Sequence, residues 1–279
     1  MYDFILQVTN IDKQFPGVHA LKDVSFSVLR GEVHGLIGEN GAGKSTLIKS
    51  ITGAYSYDSG SIIFIDETGT QFKIHNPSDA KAAGIAAAYQ DLLAAPELTV
   101  GENFFLGRIP KTSLGAVDWS YIYQYSSKIL REYGISVDPR KKMRQLTVSQ
   151  QMMVTIAKLS SEHAKLIIFD EPTALLPNQE VQTFYKILRK LRANGVSMIY
   201  VSHRLEEILE VCDRVTVLKD GAIVGTKETS SVTEGMLISM MVGRSMSDIY
   251  QINKGVPGAE VLRVEHLTRK NSFSDISFS

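Results

Sequence analysis

The sequence predicts an α/β fold, a parallel sheet flanked by helices, extended by an antiparallel β layer and a helical lobe. Three observations predict it. Short apolar runs alternate with helix-periodic segments along most of the chain. A glycine-rich loop, Gly38–Thr46, falls between a strand-like run and a helix-like one. The stretch from about Asp91 to Leu146 is patterned for helices and holds no strong strand.

Taken in order, Phe4–Val8 and Val24–Val28 alternate apolar and polar residues, as an antiparallel layer with one wet face does, and Ser61–Ile65 is expected to join them. Glu32–Ile37, Ile85–Tyr89, Leu166–Phe169, Ser197–Ser202 and Arg214–Leu218 are continuously apolar, the pattern of parallel strands covered on both faces. Helices are expected at Lys44–Ile51, Ser149–Ser160, Glu180–Asn194 and Leu205–Val211, with Asn194-Gly195 as a helix stop. One domain over residues 1–250 accounts for these elements, its helical lobe covering about 91–157.

Composition narrows the function classes. The 279 residues carry 30 basic and 30 acidic side chains and no net charge. A nucleic-acid partner is therefore not expected, since phosphate neutralisation calls for a basic excess. The single cysteine, Cys212, leaves no internal disulfide and reads as a small buried residue. Met1–Asn10 lacks the features of a signal peptide, and no apolar run reaches the roughly 18 to 20 residues a bilayer span requires. Any membrane connection is expected to run through a partner.

The chemistry begins at Gly38-Glu39-Asn40-Gly41-Ala42-Gly43-Lys44-Ser45-Thr46, which fits G-x-x-x-x-G-K-[ST]. Glycines let backbone N–H groups curl round phosphate oxygens, and the following helix aims its positive end at the same anion. Lys44 is placed to reach the β- and γ-phosphates, and the Ser45 hydroxyl to ligate Mg²⁺. The fold expectation is thus a P-loop nucleotide triphosphatase core with ATP and Mg²⁺ as its ligands. A second handle is "KLIIFDEPT", Lys165–Thr173, where a buried strand delivers Asp170 and Glu171 at its carboxyl end. Asp170 suits the outer coordination of Mg²⁺, and Glu171 suits polarising an attacking water.

These motifs, and their order, resemble the nucleotide-binding domain of ABC transporters, with its RecA-like core, over about Phe4–Gly243. The resemblance implies further roles. Gln90, ending "GIAAAYQ", matches the glutamine that senses the γ-phosphate and Mg²⁺ and couples to the permease; His203, in "IYVSHRLEE", matches the switch histidine that contacts the γ-phosphate; Phe15, in "KQFPGVHAL", sits where the family stacks an aromatic on adenine. Leu146-Thr147-Val148-Ser149-Gln150 is an imperfect match to the L-S-G-G-Q signature, which caps the ATP held by an opposing domain. Ser149 replaces a glycine there and is expected to add bulk and restrict the backbone. Ala174-Leu175-Leu176-Pro177 occupies the segment that links paired sites but lacks the family's aspartate.

Within the family, "PELTVGENFFLGR", "VSQQMMVTIAK", "CDRVTVLKDG" and "MMVGRS" resemble the ATP-binding subunits of bacterial sugar importers, which carry two fused ATPase domains. The serine-bearing signature is closest to galactose/methyl-galactoside types, with ribose types near. Residues 261–279, "VLRVEHLTRKNSFSDISFS", echo Ile5–Ser27, "ILQVTNIDKQFPGVHALKDVSFS", and read as the start of a truncated second ATPase domain after a linker at 251–260. Thr268–Ser272 carries no aromatic comparable to Phe15. The resemblance implies as partners that second domain, integral membrane permease subunits and, indirectly, an extracytoplasmic sugar-binding protein, with the chain on the cytoplasmic face of the membrane.

Three other readings stand beside this one. A soluble twin-domain ABC ATPase of translation or repair type would need a long charged linker or coiled-coil insertion, for which there is no heptad pattern. A small-molecule kinase with a phosphate loop leaves Gln90, Leu146–Gln150 and His203 unexplained. A pure binding module leaves Glu171 and His203 without a task.

Overall fold

In a computed structural model the described residues are 4–88, 94–162, 164–174, 176–243 and 259–279. The expected Gln90, Leu175, strand end Tyr89 and most of the 251–260 linker lie outside them. The chain divides into two compact units, Met1–Arg244 and Ser245–Ser279.

In the first unit, two sheets form. β1 (Phe4–Phe15), β2 (Val18–Leu29), β4 (Ser59–Ile65) and β5 (Gln71–Lys73) make an antiparallel sheet in the order β2-β1-β4-β5. β3 (Val33–Ile37), β6 (Ile85–Ala88), β7 (Leu166–Asp170), β8 (Ser197–Val201), β9 (Arg214–Lys219) and β10 (Ala222–Glu228) make the main sheet, ordered β10-β9-β3-β8-β7-β6. All its pairings are parallel except that of the hairpin β9–β10. The helices are α1 (Lys44–Ile51), α2 (Pro77–Ala83), α3 (Val100–Phe104), α4 (Trp119–Glu132), α5 (Val148–Ser161), α6 (Asn178–Ala193), α7 (Leu205–Val211) and α8 (Glu234–Val242). The stretch between β6 and α5 holds α3 and α4 and, among its described residues, no strand.

The period-2 alternation of the strands explains why both faces of the main sheet are apolar. Leu166, Ile168, Ile199 and Val201 pack into one core with the antiparallel sheet and with Leu47, Ile48 and Ile51 of α1. Ile167, Phe169, Met198 and Tyr200 point the other way, into a second core with α5, α6 and α7. Phe184 is fully buried in the second core, 5.7 Å from Phe169 and 6.2 Å from both Tyr185 and Tyr200, ring centre to ring centre.

Helix starts follow local capping chemistry. Thr99 and Glu102 form a capping box at α3, and Thr147 and Gln150 another at α5. Asn76 and Asp118 cap α2 and α4.

The second unit is an antiparallel hairpin of β11 (Val264–Arg269) and β12 (Phe273–Phe278). It repeats the geometry of β1–β2 closely. Val264 pairs with Phe278 and Leu267 with Ile276, as Val8 pairs with Phe26 and Ile11 with Val24, with the same one-residue bulge. His266 and Asp275 take left-handed backbone, as Asn10 and Asp23 do. Each pair is joined side chain to side chain, at 2.6 Å for His266–Asp275 and 2.5 Å for Asn10–Asp23. Ser277 Oγ accepts the His266 N–H at 2.9 Å, and Ser25 Oγ the Asn10 N–H at 2.8 Å.

The aromatic contact in the second core sets the first prediction. Phe184→Ala should lower unfolding free energy by about 3–5 kcal/mol, the range for truncating a buried phenylalanine, read from the midpoint of denaturant unfolding.

Candidate functional site

Three strand ends build the site. β3 runs into Gly38, and the loop returns through Gly43 into α1. Two glycines here are required by geometry. At Gly43 φ is 105°, and a Cβ there would lie 2.5 Å from the Ala20 carbonyl oxygen; at Gly38 it would lie 2.2 Å from that of Leu218. The loop is tied at its base, where the Gly221 N–H donates to Ala42 O at 3.1 Å and the Lys22 N–H to Gly221 O at 2.7 Å.

Lys44 is buried, and its ammonium donates to the Gly38 and Glu39 carbonyls at 2.7 and 3.0 Å. Burial pulls its pKa below the ordinary lysine value, while the charges of Glu171 and Asp170 oppose that pull. Asp170 ends β7 beside Val201 of β8, and the Glu171 N–H extends the pairing by donating to Val201 O at 2.9 Å. Glu171 then takes a left-handed backbone, φ 50°, uncommon for this residue type. Its carboxylate lies 3.3 Å from Nδ1 of His203, two residues past the end of β8. Asp170 is raised above the usual aspartate range by burial and by the neighbouring Glu171 charge.

One cleft of about 900 Å³ gathers most of these groups. Asn40, Gly41, Gly43, Lys44, Ser45 and Thr46 of the phosphate loop line it together with Asp170, Glu171 and Phe15. His203 adjoins it through Glu171. Phe15 meets Tyr55 edge-on at 5.6 Å, and Lys13 Nζ lies 5.3 Å above its ring. Ser45 and Asp170 supply hard oxygen donors to the same space, the donor chemistry Mg²⁺ takes. Among the described residues no cluster of three His, Cys, Asp or Glu could hold a metal alone. A Mg²⁺ shared with nucleotide phosphates fits a site with so few protein donors.

The signature segment lies apart: none of Leu146, Thr147, Val148, Ser149 and Gln150 lines this cleft. Ser149 sits in the first turn of α5, 5% exposed, with its hydroxyl 3.2 Å from that of Thr147. The residue that adds exposed bulk is Val148, 44% exposed.

Sequence reasoning missed the second wall of the cleft, made by Gly17–Ala20, Lys22, Asp220 and Gly221. A signal was available. Asp220-Gly221 is the Asp-Gly pair of a tight hairpin, with φ of 49° and 82°, and it joins β9 to β10 beside the loop.

Fold and site together define an ATP-binding-cassette type of nucleotide-binding domain, and comparison with known proteins places the chain. Residues 21–174 match the ABC transporter family, and the chain belongs to that family. It is 43% identical to the xylose import ATP-binding protein XylG of Geobacillus kaustophilus over 287 aligned positions, covering all of this chain and 56% of that protein. It is 45% identical to the ribose import ATP-binding protein RbsA 1 of Streptomyces avermitilis, covering 99% of this chain and 52% of that one. A third relative is the galactose/methyl galactoside import ATP-binding protein MglA of Yersinia pestis, at 42% identity over 99% of this chain and 54% of that one. The chain thus spans about half the length of the curated relatives it matches. Among solved structures, the ADP conformation of MJ1267, an ATP-binding cassette of an ABC transporter, superposes with a TM-score of 0.73 at 27% identity, covering 86% of this chain and 99% of that one.

Two predictions come from this geometry. Because folding raises the Asp170 pKa, its charge costs stability above the ordinary aspartate value of about 3.9 and costs nothing once both states are protonated. Without nucleotide or Mg²⁺, Asp170→Asn should therefore raise Tm at pH 7 and match wild type near pH 3, read by calorimetry across pH. Ser149→Gly should lose roughly 0.5 kcal/mol of stability or more, the helix-propensity difference, by denaturant titration.

Proposed function

We propose that this chain binds and hydrolyses ATP to power the import of a sugar through a membrane ABC transporter. The observation that carries the reading is the shared cleft. A phosphate-binding loop with a desolvated lysine faces a carboxylate pair, one member of which touches a histidine. Three relatives named as sugar import ATP-binding proteins supply the substrate class. They name three different sugars at 42–45% identity, so the individual sugar does not follow. A soluble translation or repair ATPase draws no support from them.

The residues divide the work. Phosphoryl transfer is mostly positioning and electrostatics. The Gly38–Thr46 amides hold the phosphates, Lys44 carries charge against the β- and γ-oxygens, and Phe15 packs on the base. Mg²⁺, held through Ser45 and Asp170 with Gln90 as the further expected ligand, would neutralise developing phosphate charge when bound. Glu171 orients the attacking water and draws off its proton, with His203 beside it holding the carboxylate and reaching toward the γ-phosphate.

The separation of Leu146–Gln150 from the cleft supports their acting on a nucleotide held by an opposing ATPase domain. The β11–β12 hairpin supports a second domain on the same polypeptide. It repeats the β1–β2 register, and its Leu267, Ile276 and Phe278 are 43–53% exposed where Ile11, Val24 and Phe26 are at most 8% exposed. A lone two-stranded hairpin is marginal in water, so that apolar face calls for the rest of a domain. Among the described residues no helix is long and apolar enough to cross a membrane. From the import relatives, integral permease subunits are the proposed membrane anchor, with the chain on the cytoplasmic face and an extracytoplasmic sugar-binding protein as the indirect partner.

Lys44→Ala should abolish productive ATP binding by the full-length protein, measured by equilibrium titration, and unchanged affinity and turnover would defeat the assignment. Glu171→Gln should keep ATP affinity while losing hydrolysis by about 10²-fold or more, the scale of removing a general base. Copurification from membranes should recover integral subunits whose sugar raises the ATPase rate.

A further inference from the structure

A dense polar knot among the described residues lies outside those so far given a role. Glu207, in the first turn of α7, is 4% exposed. Four side chains converge on its carboxylate. The Thr173 hydroxyl lies 2.8 and 2.7 Å from its two oxygens; Tyr200 OH donates at 2.8 Å, Ser202 Oγ at 3.1 Å and the Arg204 guanidinium at 3.0 Å. An ionised carboxylate accepts about four hydrogen bonds and donates none. Here donors fill that capacity, the condition under which a buried charge is tolerable. Tyr200 remains a donor at every physiological pH, because burial and the Glu207 charge push its pKa above the ordinary tyrosine value.

Besides Tyr200 of β8, the donors come from two separate turns. Thr173 stands two residues beyond Glu171, in the turn leaving β7. Ser202 and Arg204 flank His203 in the turn leaving β8, and Ser202 Oγ also accepts the Arg204 backbone N–H at 3.0 Å. The Glu171–His203 contact is made between those same turns, and both of its side chains keep solvent access, His203 being 58% exposed. An exposed pair of that kind contributes little to holding itself together.

We propose that Glu207 is a positioning residue for ATP hydrolysis: its buried carboxylate clamps the turn bearing Glu171 to the turn bearing His203 and so fixes the spacing of the two groups that act on water and γ-phosphate. The inference rests on the ATPase reading. Glu207 touches neither the phosphate loop nor any residue lining the cleft in the hydrogen bonds above, so its loss acts on chemistry and leaves nucleotide capture alone.

The test measures ATPase kinetics, ATP affinity and Tm in the full-length protein for wild type, Glu207→Gln, His203→Ala and the double variant. A displacement of about 1 Å at a reacting group costs on the order of 10²-fold. Glu207→Gln should lower kcat by about 10- to 100-fold on that scale, with KM and ATP affinity within about twofold of wild type. In its background His203→Ala should cost far less than it does alone, because two members of one unit are non-additive. Equal kcat for wild type and Glu207→Gln overturns the inference, as does a loss of kcat and affinity in parallel, or full additivity with His203→Ala. Should Glu207→Gln yield no folded protein, the hydroxyl partner carries the same test. Thr173→Val should lower kcat several-fold while Thr173→Ser keeps it, and Thr173→Val at wild-type kcat overturns the inference. A wild type that hydrolyses no ATP overturns the ATPase reading first and the inference with it.

Discussion

The structure turns on one electrostatic confrontation. A lysine drawn out of water by a glycine-rich loop faces two carboxylates across the carboxyl ends of parallel strands. Neither side is at ease without a ligand. Burial weakens the ammonium of Lys44, which rests on two carbonyls of its own loop, and burial with a like charge beside it unsettles Asp170. A triphosphate bound with a divalent ion, as proposed, would satisfy both at once. Two apolar cores, one on either face of the sheet, hold these groups in place.

Sheet order is what makes the confrontation possible. β3 delivers the loop and β7 the carboxylates, with β8 between them carrying the histidine turn. Parallel strands put all three carboxyl ends at one edge. The antiparallel sheet adds Phe15, and the β9–β10 hairpin closes the base of the loop through Gly221. Each wall rests on a different part of the fold, so the site needs the whole first unit rather than any one motif.

Much of this was legible in the sequence, and the residues explain why. Continuous apolar runs revealed β3, β7, β8 and β9 because both faces are covered, and the glycine-lysine pattern revealed the loop because its geometry tolerates few alternatives. β10 and α8 were not foreseen. β10 is half-exposed and interrupted by Gly225, and α8 is apolar nearly all round, so neither has a clear period. Glu207 was invisible for a deeper reason. Its meaning lies in four donors brought together from β8 and the turns leaving β7 and β8, and no local spacing announces such a convergence.

The most direct test of the central claim is the position of bound nucleotide, measured by solving the protein with Mg²⁺ and a non-hydrolysable ATP analogue. The account predicts β- and γ-phosphates cradled by Gly38–Thr46, with Lys44 released from the Gly38 and Glu39 carbonyls onto phosphate oxygen and the ion between Ser45 and Asp170. Nucleotide bound elsewhere, or a Lys44 still resting on its own loop while the analogue is held, would contradict it.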